Sequence, residues 1–191
     1  MTFEEEQERK GKTYKLLLWF GMISICMIFA GLTSAYVVSK SRPDWLKDFQ
    51  LPSTFFYSTA VIIGCSVTFH LAKKAIQKDN QKATTSFLLA TLALGILFVI
   101  LQFVGFGQIV ANGYYFTGAQ SSITTTFLYI VTVVHLLHLA GGLIALLIII
   151  YKQLKNKYNS TQTLGIELGA MYWHFLDLLW IYLFLFLFFF K

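Results

Sequence analysis

Acidic residues are scarce in this chain. Of its 191 residues only nine are Asp or Glu, against fifteen Lys and Arg, and 13% are charged in all. Cysteine is rarer still: Cys26 and Cys65 are far apart, lie in apolar segments and offer no metal or redox spacing, so both read as small packing residues. The two prolines, Pro43 and Pro52, flank one loop, and no broken helix or repeated half is apparent of the kind transporters use. No P-loop, nucleotide fingerprint or nucleophile elbow occurs. The first twelve residues are polar, and the apolar run after them continues too long for a cleavable signal peptide, so it reads as a retained span.

What the chain has in abundance is apolar length. It is 57% hydrophobic and 17% aromatic, more apolar surface than a small soluble domain could hide. Apolar runs of about 20 residues recur along it. The expectation is an all-α polytopic membrane protein, one membrane domain over 1–191. Its five spans fall near 14–38, 52–72, 84–110, 124–151 and 164–190. Pro52 suits a first helical turn. His70 reads as an interfacial histidine, Asp79-Asn80 as a turn, and 111–122 as an exposed loop.

Lys and Arg fix the expected orientation. One side collects Arg9, Lys10, Lys12, Lys15, Lys73, Lys74, Lys78, Lys82, Lys152, Lys155 and Lys157; the other has Lys40, Arg42, Lys47 and Lys191. This puts the N-terminus inside and the C-terminus outside. It also accounts for the net charge of +6 without nucleic acid as a partner.

The chemistry-bearing residues gather in the last two spans. MYWHFLDLLW, from Met171 to Trp180, could cross a bilayer, yet with Glu167 it brings His174 and Asp177. At 100° per residue Glu167 and His174 point nearly the same way, and Asp177 lies within about 80° of Glu167. Span four carries His135 and His138, with Thr132 and Gly142 on the same face. At about 1.5 Å per residue, His138 and Asp177 both lie about 20 Å from the inner ends of their helices, His174 about 15 Å and Glu167 about 5 Å. The two stripes can meet mid-membrane, which suggests a hydrogen-bonded cluster of His135, His138, His174 and Asp177. Ionisable groups at that depth face protein or water. Three readings stay open for them: a structural network, a haem held by His138 and His174, or a proton or lipid contact through Asp177 and Glu167. Lys152, Lys155 and Lys157 read as a topology signal or as a grip on lipid phosphates.

These residues resemble subunit III of the haem–copper terminal oxidases, the cytochrome c oxidase subunit 3 family. Gly165, Glu167, Gly169, Ala170, Tyr172, Trp173, His174, Phe175, Asp177 and Trp180 fall on the family's G-x-E-x-G-A-x-Y-W-H-F-x-D-x-x-W run. His135 and His138 match its H-x-x-H, with Gly142 following. Gln102 matches a family glutamine, and Gly31, Ala35 and Tyr36 resemble a weaker pattern in span one. The short five-helix bacterial form is the nearest in layout. The resemblance implies a non-catalytic subunit of a proton-pumping respiratory oxidase that reduces oxygen to water, in a bacterial plasma membrane. It implies no haem or copper in this chain, with both carried by partner subunits. The partners would be the catalytic subunit I, subunit II and other oxidase subunits, with a respiratory supercomplex as a wider setting. It also implies bound phospholipid, with Lys152, Lys155 and Lys157 where the family meets headgroups.

Two positions depart from the family: Ile25 follows Ser24 where a buried glutamate often stands, and Q-x-x-E-Y reads Gln102 to Phe106 with Gly105 in place of the acid. A role resting on either acid does not carry over. An accessory subunit of a nitric oxide reductase remains an alternative. So does a free-standing membrane b-type cytochrome or channel.

Overall fold

In a bilayer no water is at hand for backbone amides and carbonyls, so a spanning segment must satisfy them internally. The computed structural model of the chain does this with five helices. It describes residues 3–43, 45–46, 51–118 and 122–190, apart from the side chains of Phe3, Glu4 and Gln7. The helices are α1 (Phe3–Ser39), α2 (Thr54–Gln77), α3 (Gln81–Ala111), α4 (Ile123–Leu154) and α5 (Leu164–Phe189). Each is long and apolar enough to cross a membrane. The expected five spans are all present.

Helix ends run past the apolar limits. The polar lead-in before residue 14 is helical because Glu6–Lys10 and Glu8–Lys12 pair one turn apart, at 2.7 and 2.8 Å. The interval expected between the second and third spans, 73–83, shrinks to a turn. Asp79 takes a positive φ of 53°, and the Asn80 side chain accepts from the Ala83 amide at 3.1 Å, so α3 begins at Gln81. The segment after α3 is mostly exposed, yet it is tied to α4: Thr125 and Thr126 donate to the carbonyls of Tyr115 and Phe116. Of the charge pattern, the eleven basic residues of one side are described and gather at one end of the bundle, here the basic end. Lys47 and Lys191 lie outside the described residues.

Helices α2 and α3 form a tight antiparallel hairpin, α3 packs on α4, and α5 touches α1, α2 and α4. Helix α1 touches only α4 and α5, and α1 and α2 do not meet. The difference shows in burial: 17% of the most apolar stretch of α1 is covered, against 44% for α5. The core around α5 is aromatic. Trp173 and Trp180 are fully buried, Phe55 stacks on Trp180 with centroids 5.9 Å apart, and Phe98 meets it edge-on at 5.1 Å. Small residues admit these rings. A Cβ on Gly105 would lie 2.7 Å from the Phe55 ring, and one on Gly169 would run into Ile149.

Short polar bonds cross between helices. Gln102 donates to the Ser58 hydroxyl at 2.9 Å, Trp180 Nε1 to Thr59 at 3.1 Å, and Thr54 to Gln108 Oε1 at 2.6 Å. At the basic end Gln81 donates to the Tyr158 carbonyl at 2.9 Å and accepts from Gln153. Asp79 accepts from the Ser160 amide at 2.7 Å; hydrogen bonding from the Ser160 side chain, and then from this amide, holds its carboxyl below the usual range, while burial pushes the Tyr158 phenol up.

Candidate functional site: the polar stripe of α5 and its neighbours

The residues expected to meet in one hydrogen-bonded cluster have separate partners. His174 Nδ1 bonds the Ser66 hydroxyl of α2 at 2.6 Å, and its ring lies 6.3 Å from that of His70. His138 Nδ1 pairs with the Val134 carbonyl of its own helix at 2.7 Å, and its ring lies 5.8 Å from Phe29 of α1. His135 is fully buried inside a box of rings: Trp180 at 5.2 Å, Phe98 at 6.2 Å and Phe29 at 6.4 Å. Neither of its nitrogens has a hydrogen-bond partner among the described residues, and neither carboxyl oxygen of Asp177 has one. Asp177 is 3% exposed and lies beside Cys65 and Ser66.

The reason is angular. Three residues along a helix turn the side chain by about 60°. From His174 to Asp177 that step moves from a half-open flank into the core. From His135 to His138 it moves from the aromatic box toward α1. Helices α4 and α5 are joined here by packing and by one bond, from the Tyr172 hydroxyl to the His138 carbonyl at 3.1 Å.

The same geometry bears on a haem. His138 faces α1 and His174 faces α2, and those two helices do not touch. The two imidazoles therefore look to opposite flanks of α5 and cannot bracket one iron. Among the described residues no three or more His, Cys, Asp or Glu side chains gather around a common point suited to a metal ion.

Glu167 sits apart from the mid-membrane residues. At the basic end its carboxylate takes the Lys15 ammonium of α1 at 2.8 Å and the Thr163 hydroxyl at 2.7 Å, with Lys73 of α2 close enough to act on it as well. Beside it opens a recess of about 680 Å³, lined by Lys152, Lys157, Tyr158, Asn159, Glu8 and Glu167 among others. Lys155 takes no part in it; its ammonium lies over the Tyr151 ring, 5.5 Å from the centroid.

Several partners were not singled out from sequence. Ser58, Thr59 and Ser66 are the polar positions of α2 that meet Gln102, Trp180 and His174. Their signal was available: small hydroxyl residues inside an apolar span are the side chains that bond across membrane helices. Lys15 and Lys73 were read as topology markers only.

At the two departures, apolar contacts stand in place of acids. Ile25 packs against the buried cluster of Phe29, Val131, Leu179 and Leu183. Gly105 is where the Phe55 ring presses closest to α3, so an acid would have no room there.

Comparison with known proteins finds relatives along nearly the whole chain. A family model described as cytochrome c oxidase subunit III matches residues 6–191. A protein named cytochrome c oxidase subunit 3 from Spodoptera frugiperda is 35% identical over 140 residues, covering 72% of this chain and 87% of its own length. That of Damaliscus lunatus is 29% identical over 192 residues, 92% of this chain and 68% of its own. That of Drosophila yakuba is 34% identical over 137 residues, 72% of this chain and about half of its own, at 49%.

Proposed function

Because the chain belongs to the cytochrome c oxidase subunit III family, we propose that it is the non-catalytic subunit III of a proton-pumping respiratory terminal oxidase, that it steadies the catalytic subunit, and that it holds phospholipid. The carrying observation is the family match across nearly the whole chain. The names of the relatives favour an oxidase over a nitric oxide reductase. The separate settings of His138 and His174 favour an accessory role over a free-standing cytochrome. The setting is a bacterial plasma membrane, with the basic end inside and the C-terminus outside. Haem and copper would sit in subunits I and II.

In this reading α5 has two tasks. Its aromatic face fixes the bundle, so that the other helices present a constant surface to the complex. At the basic end Lys152 and Lys157 line the recess where a lipid phosphate would find cationic donors within the headgroup layer. Lys155, turned onto Tyr151, contributes charge near the membrane surface more than a direct contact.

A tag on this chain tests the proposal. Purification from membranes should bring a haem-bearing oxidase with it, and the chain separated from those partners should be colourless. A Soret band that stays with the separated chain and vanishes in His138→Ala overturns the assignment. Within the complex, Lys152→Gln with Lys157→Gln should lower the lipid count in native mass spectrometry, and Lys155→Gln should change it less. Equal counts in all three overturn the lipid part.

A further inference from the structure

The flank of α5 between α1 and α2 is left uncovered by this chain. Glu167, Met171, His174, Leu178, Tyr182 and Leu185 recur there every three or four residues, the spacing with which one helix seats another. Leu178 is 68% exposed in the middle of the stripe. Both walls are in place. On one side Lys15 reaches Glu167, the Thr33 hydroxyl lies 3.3 Å from that of Tyr182, and Cys26 and Ala30 of α1 share with Leu178 and Tyr182 an apolar recess of about 280 Å³. On the other side stand Ser66, His70 and Lys73 of α2. The walls do not touch each other, so the seam is open along α5.

Its chemistry is not that of a lipid-facing surface. His174 lies seven residues, about 10 Å, deeper than the Glu167–Lys15 pair, and is only half-buried. His70 is exposed about one turn deeper than Lys74. Imidazoles at such depth belong against protein or water. The charge is also unbalanced. At this end Glu167 is taken by Lys15, and Glu8, at the rim of the adjoining recess, by Lys12. Lys73 is close enough to act on both Glu167 and His174, yet makes no ion pair among the described residues.

We infer that this seam seats a transmembrane helix of a partner subunit, and that the helix carries a carboxylate at the level of His174, His70 and Lys73. The apolar half of the stripe, Leu178 to Leu185, packs against that helix. The polar half selects its register, because the carboxylate finds a cation and imidazole donors at one height only. A neutral helix in the same place leaves Lys73 and His70 buried without a counterpart. The inference rests on the reading of this chain as one subunit of an oxidase.

The test uses the intact complex. A benzophenone amino acid at Leu178 is photolysed in it, with the same group at Leu137, an exposed site on α4, for comparison. The adduct at 178 should map to a partner's membrane-spanning segment with an Asp or Glu within about three turns on the basic side; the adduct at 137 should be mainly lipid. Lys73→Glu should cut retention of the chain through detergent washing several-fold, and Lys73→Arg should not. Adducts at 178 with lipid alone, with a second copy of this chain, or with a segment lacking such an acid overturn the inference. So does retention unchanged by Lys73→Glu. Failure of the chain to co-purify with any oxidase is a separate result, and it overturns the functional reading beneath.

Discussion

Helix α5 presents two faces with opposite chemistry. Toward the interior of the bundle it buries Trp173, Leu176, Asp177 and Trp180 among rings and small residues, and His135 of α4 is held there with no hydrogen-bond partner among the described residues. Toward the gap between α1 and α2 it shows Glu167 and His174, each bonded to a neighbouring helix, and then a run of exposed apolar side chains. Polar residues can therefore lie in one transmembrane helix for different reasons. Those on the buried face are enclosed by packing. Those on the open face make the bonds and still have capacity to spare.

Four substitutions separate the faces, in falling order of expected effect on the chain's own stability. Trp180→Ala removes the ring that joins Phe55, Phe98, His135 and Thr59, and should cost about 3–5 kcal/mol; thermal unfolding of the purified chain in detergent measures it, and a loss no larger than that at the open face dissolves the distinction. Gly105→Ala places a methyl 2.7 Å from the Phe55 ring and should cost about 1–3 kcal/mol, with Phe55→Leu in the same chain restoring part of it. His135→Leu stays near the volume of histidine and loses no bond, so a change under about 1.5 kcal/mol is expected; a larger loss would mean the imidazole has a polar partner after all. Ser66→Ala cuts the His174 bond and should cost on the order of 0.6 kcal/mol, while reducing retention in the complex more than the His135 substitution does.

A fifth test lies outside the membrane. Hydrogen bonding from the Ser160 side chain, and then from its amide, holds the Asp79 carboxyl below its ordinary range. A lowered carboxyl in the folded state adds stability above the unfolded value, and that gain is lost as pH falls through the folded one. The protection factor of the Ser160 amide, its exchange rate relative to the intrinsic rate at the same pH, should therefore fall on acidification below the usual aspartate range and stay level above it. Asp79→Asn should flatten the profile.

Much of this is legible in the amino-acid sequence. Five spans follow from apolar run length, and the polar stripes from residues too costly to bury at random. The basic end was fixed by counting Lys and Arg. The extra turns of α1 were not legible from hydropathy, because Glu6–Lys10 and Glu8–Lys12 stabilise a helix that no apolar pattern marks. The supposed cluster of His135, His138, His174 and Asp177 came from matching depth and from the face each residue takes on its own helix. Depth says which residues share a layer. It does not say which flank of the helix faces which neighbour, and that depended on α1 and α2 lying on either side of α5. Lys73 shows the same limit: as a charge it marks topology, and its closeness to Glu167 and His174 appears only once α2 is placed.

The most direct measurement puts the two faces side by side. Unfolding of the purified chain and its retention in the complex would both be recorded for Trp180→Ala and for the pair His174→Ala with Lys73→Ala. The expected result is a crossed pattern. Trp180→Ala lowers the unfolding midpoint strongly, whereas the pair barely moves it and yet releases the chain from the complex. If the pair lowers the midpoint as far as Trp180→Ala does and leaves retention unchanged, the open face of α5 is part of the fold and not a surface for assembly.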